Sequence, residues 1–413
     1  MLEYFCSSTY LIGGITLKLA KRLERLGTEN AFVTLAKVNK LRAEGKDIIA
    51  FSIGEPDFDT PRNIIDKCHE ALDKGMTHYT PSAGMLDFRK SIAKYISNTR
   101  GIEVSPDEVV VVPGGKPIIF YSILACVDEG DEVLYPNPGY PIYESVINFV
   151  GAKAVPVPIE ESKGFSIDVD KLERLITPKT TFMVINSPHN PTGGSIPRKD
   201  LEKIAELCIK HNITVLSDEI YSRLKFSGKH ESIASIPGMK ERTIILDGMS
   251  KTYAMTGWRL GYGVMPKHVA EAVAQLVTND ASCTATFTQM AGIEALEGPQ
   301  DGAEKMKKVF AERREIIVSE LNKVPGFKCH VPDGAFYVFP NVTETCRLLG
   351  CKDSRELADR LLYEAGVAVL PRTAFGVKNT DEKEEYIRLS YATSTENIIK
   401  GIARIVDYVK ARI

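Results

Sequence analysis

Six short runs of apolar, mostly β-branched residues recur along the middle of the chain, each ending in a polar, glycine or proline loop. They are EVVVVPGGK (108–116), DEVLYPNPGYP (131–141), TTFMVINSPHNPTGG (180–194), ITVLSDEIY (213–221), TIILDGMSK (243–251) and LGYGVM (260–265). Helical patterns stand between them. In DLEKIAELCIKHN, Leu201, Ile204, Ala205 and Cys208 share one face, with an N-cap expected near Lys199–Asp200. Pro117 suits the first turn of a helix after the first run. Continuous apolar strands alternating with helices predict a mostly parallel sheet covered by helices on both faces, an α/β fold.

After about residue 300 the pattern changes. KMKKVFAERREIIVSELNKV reads as a long charged helix, GAFYVFP and EYIRLSYA as aromatic alternating strands, and 354–365 and 395–411 as two further helices. Residues 17–45 read as a helix rich in Lys, Arg, Glu and Leu, broken at Gly45. A chain of 413 residues suits two domains. The expected division is an extension over 1–16, an arm and helix over 17–58 that joins a small α+β domain, a large domain over 59–298, and the rest of the small domain over 299–413.

Composition removes several functions. Lys and Arg number 52 against 54 Asp and Glu, a net charge of −2, which argues against a dedicated nucleic-acid binder. The eight cysteines are dispersed and form no CxxC pair, so a disulfide framework is not expected and a reducing, cytoplasmic compartment fits. The seven histidines form no HExxH cluster, and the neighbours Cys329 and His330 are only a weak metal hint, so no metal is expected. There is no run of eighteen apolar residues, hence no expected membrane span. In the first residues, MLEYFCSSTYLIGGITLKLAKR, basic residues follow the apolar stretch and Glu3 sits where a signal peptide wants positive charge; an extension is expected.

Ligands of open α/β sheets bind beyond the carboxyl ends of the strands. The unusual residues gather there: Gly114–Gly115–Lys116, Asn186 with Asn190–Pro–Thr–Gly193, Ser217–Asp218–Glu–Ile–Tyr221, and Ser250–Lys251 with Arg259 eight residues on. In this order they resemble the class I/II aminotransferases, pyridoxal 5'-phosphate enzymes of the aspartate aminotransferase fold. Agreement extends to Ile53–Gly–Glu–Pro–Asp57, Tyr79–Thr–Pro–Ser–Ala–Gly84, the stretch from Met255 through Trp258 to Gly261, and Arg388–Leu–Ser–Tyr–Ala392. The resemblance covers roughly residues 30–410.

The resemblance implies roles that the residues' own chemistry supports. Most lysines are merely solvated; one at the mouth of a sheet can lose solvation, lower its pKa and form a Schiff base with an aldehyde, the role implied for Lys251. The same amine would then move the substrate's α-proton. Asp218, otherwise a strand-end turn residue, would pair with the pyridine nitrogen and keep it protonated. Tyr221 and Asn190 would bond the cofactor's phenolic oxygen; a buried aromatic and an Asx-turn are the plain alternatives. The backbone N–H groups of Gly114, Gly115 and Lys116, with Ser250 and Arg259, would hold the phosphate. Tyr140 would stack on the ring, and Tyr79 would reach the phosphate from a second subunit, which implies a homodimer. Arg388 would clamp the substrate α-carboxylate, with Gly54 as a backbone contact. The implied substrates are small molecules: an L-amino acid (aspartate, aromatic or other) and a 2-oxo acid such as 2-oxoglutarate or pyruvate.

Two positions depart from the family pattern. Arg372 stands in Pro371–Arg–Thr–Ala–Phe375–Gly376 where many members have glycine; it is expected to touch substrate or face water. Pro117 follows the phosphate loop, where other residues are common. Rival readings are weaker. GYGVM begins like GxGxxG, but Pro266 stands at the third glycine and no βαβ unit with a placed acid follows. A DNA-binding regulator on this fold would need an N-terminal domain for which there is no room. The alternative kept open is a lyase or decarboxylase using the same cofactor, since fold does not fix reaction type.

Overall fold

The computed structural model describes residues 9–12 and 15–413. Much of the segment read as an extension therefore lies outside the described residues, as does Cys6. Within that segment, Thr9–Ile12 pairs antiparallel with Ile15–Lys18.

The main sheet has eight strands: β1 (Val109–Val112), β2 (Glu132–Asn137), β3 (Lys153–Glu160), β4 (Ser166–Ile167), β5 (Thr180–Asn186), β6 (Thr214–Asp218), β7 (Thr243–Gly248) and β8 (Gly261–Val264). Their spatial order is β1-β8-β7-β6-β5-β2-β3-β4. β8 runs antiparallel to both neighbours and β4 antiparallel to β3; the other pairs are parallel. Every residue of β1, β2 and β7 is buried, because helices cover both faces. β3 was not foreseen. Pro156 and Pro158 interrupt its run, and proline is tolerated here because the strand lies near the sheet edge beside the two-residue β4.

Register sets the chemistry. Asn186 pairs with Asp218, and Asp218 pairs with Leu246, so the carboxyl ends of β5, β6 and β7 finish side by side. Gly261 of β8 lies opposite Gly248 and Val112; a Cβ there would meet the Gly114–Gly115 backbone at 2.5–2.8 Å. Only glycine lets the loop after β1 close down on β8.

The helix foreseen over 17–45 is shorter. Lys21–Arg25 forms a 3-10 turn with no buried residue, Gly27 follows, and α1 spans Asn30–Ala43. Leu19, Leu23 and Leu26, which would line one face of such a helix, are all exposed, so no packing holds a longer helix against the body. The amphipathic helix after β5 spans Arg198–His211 and is entered from Pro197, not from Lys199–Asp200; Leu201, Ile204, Ala205 and Cys208 are its buried face. Helix α2 (Lys116–Cys126) carries Pro117 in its first turn, where no backbone N–H partner is lost.

The C-terminal part holds the helices Asp301–Leu321, Ser354–Glu364 and Thr395–Lys410. Tyr337–Val338, Ile387–Ser390 and Leu370–Pro371 form a small antiparallel sheet. Ile49–Ala50 pairs in parallel with Val367–Ala368, and Ile49 and Phe51 share one core with Phe310, Phe336 and Leu389. Among the described residues no helix is long and apolar enough to cross a membrane.

Candidate active site

A cavity of about 530 Å³ opens at the carboxyl edge of β5, β6 and β7. The starts of α1 and α2 wall one side, and Tyr337, Phe375 and Arg388 of the C-terminal part wall the other. Gly54, Gly115, Lys116, Tyr140, Asn190, Asp218, Tyr221, Ser250, Lys251, Arg259 and Arg388 all line it, although they span more than three hundred positions of sequence. Gly114 abuts it through Arg259. Tyr79 does not join them: it is 89% exposed.

Asp218 ends β6 and is buried. Its Oδ2 accepts from the Tyr143 hydroxyl at 2.6 Å and its Oδ1 from the Ile220 N–H at 3.2 Å. No cation among the described residues pairs with it, and burial pushes its carboxyl up to about 6. Such an acid favours a ligand that brings its own N–H.

Lys251 lies on the helical turn Met249–Thr252 directly after β7. Its Nζ donates to the Gly54 carbonyl at 2.6 Å. Burial of the amine pulls its pKa down to about 8, so an appreciable neutral fraction exists near neutral pH. Gly54 has no room for a side chain, because a Cβ would strike the Tyr337 hydroxyl.

Arg388 is buried on the strand Ile387–Ser390. Its NH1 donates to Asn190 Oδ1 at 3.1 Å and its NH2 to the Ser52 carbonyl, while its Nε has no partner. Its guanidinium lies 4.6 Å from the Tyr337 ring centroid and 5.0 Å from that of Phe375. Asn190 is fixed in turn by its N–H donating to Asn186 Oδ1 at 2.9 Å. The Tyr221 and Tyr337 hydroxyls bond each other at 2.7 Å.

At the other end, Arg259 takes a left-handed conformation and, among the described residues, donates only to the carbonyls of Thr256 (2.7 Å) and Pro113 (3.4 Å). Its guanidinium fills the space over Gly114, whose φ of +89° and lack of Cβ make that approach possible. The N-terminus of α2 opens beside it. Lys116 differs from the sequence reading in one respect: its side chain also enters the cavity, with Nζ 3.1 Å from Glu29 and 5.6 Å from the Tyr140 ring centroid. Arg372 corrects an expectation. It neither touches the cavity nor faces water; it is fully buried and forked onto Glu382.

Tyr143, Tyr337 and Glu29 were missed. Tyr143 lies three residues after Tyr140 at the start of the helix Ile142–Val150, so helical spacing could have flagged it. Tyr337 and Glu29 meet partners 116 and 87 positions away and carry no local signal.

The donor set fits pyridoxal 5'-phosphate. An uncompensated guanidinium, a helix N-terminus and a glycine cradle stand at one end. A buried, unpaired carboxylic acid stands at another, and a partly desolvated amine between them.

A family model described as "Aminotransferase class I and II" matches residues 46–405. An aspartate aminotransferase from Geobacillus stearothermophilus is 38% identical, over 96% of this chain and 100% of its own length. Aromatic-amino-acid aminotransferase 2 from Thermococcus litoralis is 37% identical, over 96% of this chain and 99% of its own. The structure of aspartate aminotransferase from Thermus thermophilus with maleate superposes with a TM-score of 0.88 at 36% identity, covering 95% of this chain and 99% of that one. The chain belongs to the class I and II aminotransferase family. It is a pyridoxal-phosphate-dependent transaminase, and these relatives favour that reaction over the lyase or decarboxylase alternative.

Proposed function

We propose that the enzyme transfers the amino group of L-aspartate or an aromatic L-amino acid to a 2-oxo acid such as 2-oxoglutarate or pyruvate, in two half-reactions with ping-pong kinetics. The substrates are proposed from the relatives named for aspartate and for aromatic amino acids. One observation supports the site assignment above all: Lys251, Asp218, Arg259 and Arg388 line a single cavity, and none has an ion-pair partner among the described residues.

When bound, pyridoxal phosphate supplies an electron sink for the pair released from the substrate's Cα–H bond. Arg259, Ser250 and the N–H groups of Gly114, Gly115 and Lys116 would hold its phosphate. Asp218, oriented by Tyr143, would hold the ring N–H; Tyr221 and the amide of Asn190 would donate to the phenolic oxygen; Tyr140 would cover the ring. Arg388 binds the substrate α-carboxylate and, with the Gly54 backbone nearby, fixes the direction of the Cα–H bond. Lys251 Nζ would take the proton from the donor's Cα in the first half-reaction and give one to the oxo-acid carbon that becomes Cα in the second. Tyr337 and Phe375 exclude water from the Arg388 face.

We further propose a homodimer in which exposed Tyr79 completes the partner's phosphate site, and a cytoplasmic location, consistent with seven free cysteines among the described residues. The large domain is taken as 59–298, with 17–58 and 299–413 forming the small one; the pairing of Ile49–Ala50 with Val367–Ala368 supports that grouping.

The Lys251→Ala variant tests this. It should fold, lose turnover with every donor, and yield no pyridoxyl-bearing peptide after borohydride treatment of the cofactor-loaded protein. Wild-type protein should carry that group on the peptide holding residue 251. Turnover at the wild-type rate in the variant would overturn the assignment.

A further inference from the structure

The catalytic cavity contains a carboxylate that the reaction does not need. Glu29 precedes α1 as its N-cap, yet its side chain makes no capping bond. It turns into the cavity, where only 11% of the side chain is exposed, and pairs with Lys116 Nζ at 3.1 Å. It also lies against the Tyr140 hydroxyl, which burial and this neighbouring charge push well above the ordinary phenol range.

Lys116 is, with Lys251, one of two ammonium groups lining the cavity. Arg388 lies toward the C-terminal sheet and Arg259 toward the phosphate loop. With Arg388 assigned to the α-carboxylate, Arg259 to the phosphate and Lys251 to the aldehyde, Lys116, 5.6 Å from the Tyr140 ring centroid and lining the same cavity as Phe32, is the cation left over for a substrate side chain. An apolar or aromatic side chain there meets Phe32, Tyr140 and an already neutralised ion pair. A side chain ending in a carboxylate meets a cation that the chain's own carboxylate already holds.

We infer that Glu29 is a specificity-determining residue: its carboxylate occupies Lys116 in place of the second carboxylate of a dicarboxylic substrate, and must be displaced before that substrate is seated. This rests on the transaminase site proposed above. The displacement needs only the side chain to swing, because Glu29 makes no capping bond to α1 that would have to break. Neutral side chains bind with the pair intact, so Glu29 handicaps dicarboxylates alone.

The test compares holoenzyme with Glu29 or with Glu29→Gln. In the variant, kcat/KM for L-aspartate should rise about tenfold, the scale of one competing charge contact, while that for L-phenylalanine changes less than twofold. Succinate, a dicarboxylate with no amino group to transfer, should bind about tenfold tighter by titration calorimetry. Adding Lys116→Met to Glu29→Gln should abolish both gains. Equal changes for both donors, or unchanged or weaker succinate binding in Glu29→Gln, would overturn the inference. If neither donor is turned over by the wild type, the donor assignment fails, and the succinate titration still decides the role of Glu29.

Discussion

Two sets of buried charges lie within a few residues of one another and are built on opposite plans. Beneath and beside the cavity, charges are matched within the chain. Arg100 donates to Glu219 and to Asp247, each at 2.7 Å, and Arg372 places Nε and NH2 on the two oxygens of Glu382 at 2.5 and 2.7 Å. Arg372 also reaches Asn137 Oδ1 and the Gly376 carbonyl, both at 3.1 Å, tying the loop that bears Phe375 to the end of β2. In the cavity, Arg388 and Asp218 are equally buried but have only neutral partners. Burial without a counter-charge is costly, and it pulls the Arg388 pKa down while pushing that of Asp218 up. The two sets differ in where the opposite charge comes from: the fold supplies it to Arg372, and on the proposed assignment substrate or cofactor would supply it to Arg388 and Asp218.

The largest effect expected of breaking this contrast falls on the matched set. Arg372→Ala leaves Glu382 without its fork and orphans the Asn137 and Gly376 acceptors. Loss of one partner from a buried pair costs about 3–5 kcal/mol. Chemical denaturation should show that loss, and Arg372→Met with Glu382→Gln should recover part of it. A stability unchanged by Arg372→Ala would show that the pair is not structural.

Arg388→Ala should behave in the opposite way. No carboxylate among the described residues loses a partner; only the buried Asn190 Oδ1 and the Ser52 carbonyl lose a donor, so the stability loss should be smaller than that of Arg372→Ala. The substrate carboxylate loses its clamp, and kcat/KM should fall about a hundredfold, equivalent to roughly 2.7 kcal/mol, for every amino acid regardless of side chain. Steady-state kinetics over a donor panel checks this, and an unchanged Michaelis constant would remove the clamp role.

The same contrast explains what the sequence disclosed. The strand runs and their loops are local, so β1, β2, β5, β6 and β7, and with them Lys251, Asp218 and Asn190, were legible from short motifs. β8 was legible as a strand, but its antiparallel direction is set by pairing with β1 and β7, which no single run encodes. Arg372 was misjudged because an arginine in a loop looks solvated until Glu382 and Asn137 are folded against it. Tyr143, Tyr337 and Glu29 escaped because each acts through a partner distant in sequence. The helix expected over 17–45 overruns because helical composition does not say which face is buried, and Leu19, Leu23 and Leu26 find nothing to pack against.

The smallest effect concerns Asp218 and has a sign that separates the two plans. In cofactor-free protein its folded pKa of about 6 exceeds the ordinary 3.8. Below about pH 4 both folded and unfolded chains hold the proton and no penalty exists; above about pH 6 both are ionised and the penalty is complete. Stability from this group therefore falls as pH rises through that window. Asp218→Asn lacks the charge at every pH, but keeps only one oxygen for the two donors Tyr143 and Ile220. The net gain at pH 8 should be small, on the order of 1 kcal/mol, with less or none at pH 5. Thermal melts of the cofactor-free pair at the two pH values check it. A variant less stable than wild type at pH 8 by more than at pH 5 would mean that Asp218 is charge-matched inside the fold after all, like Glu219, whose pKa, against the effect of burial, His230 and Arg100 hold down.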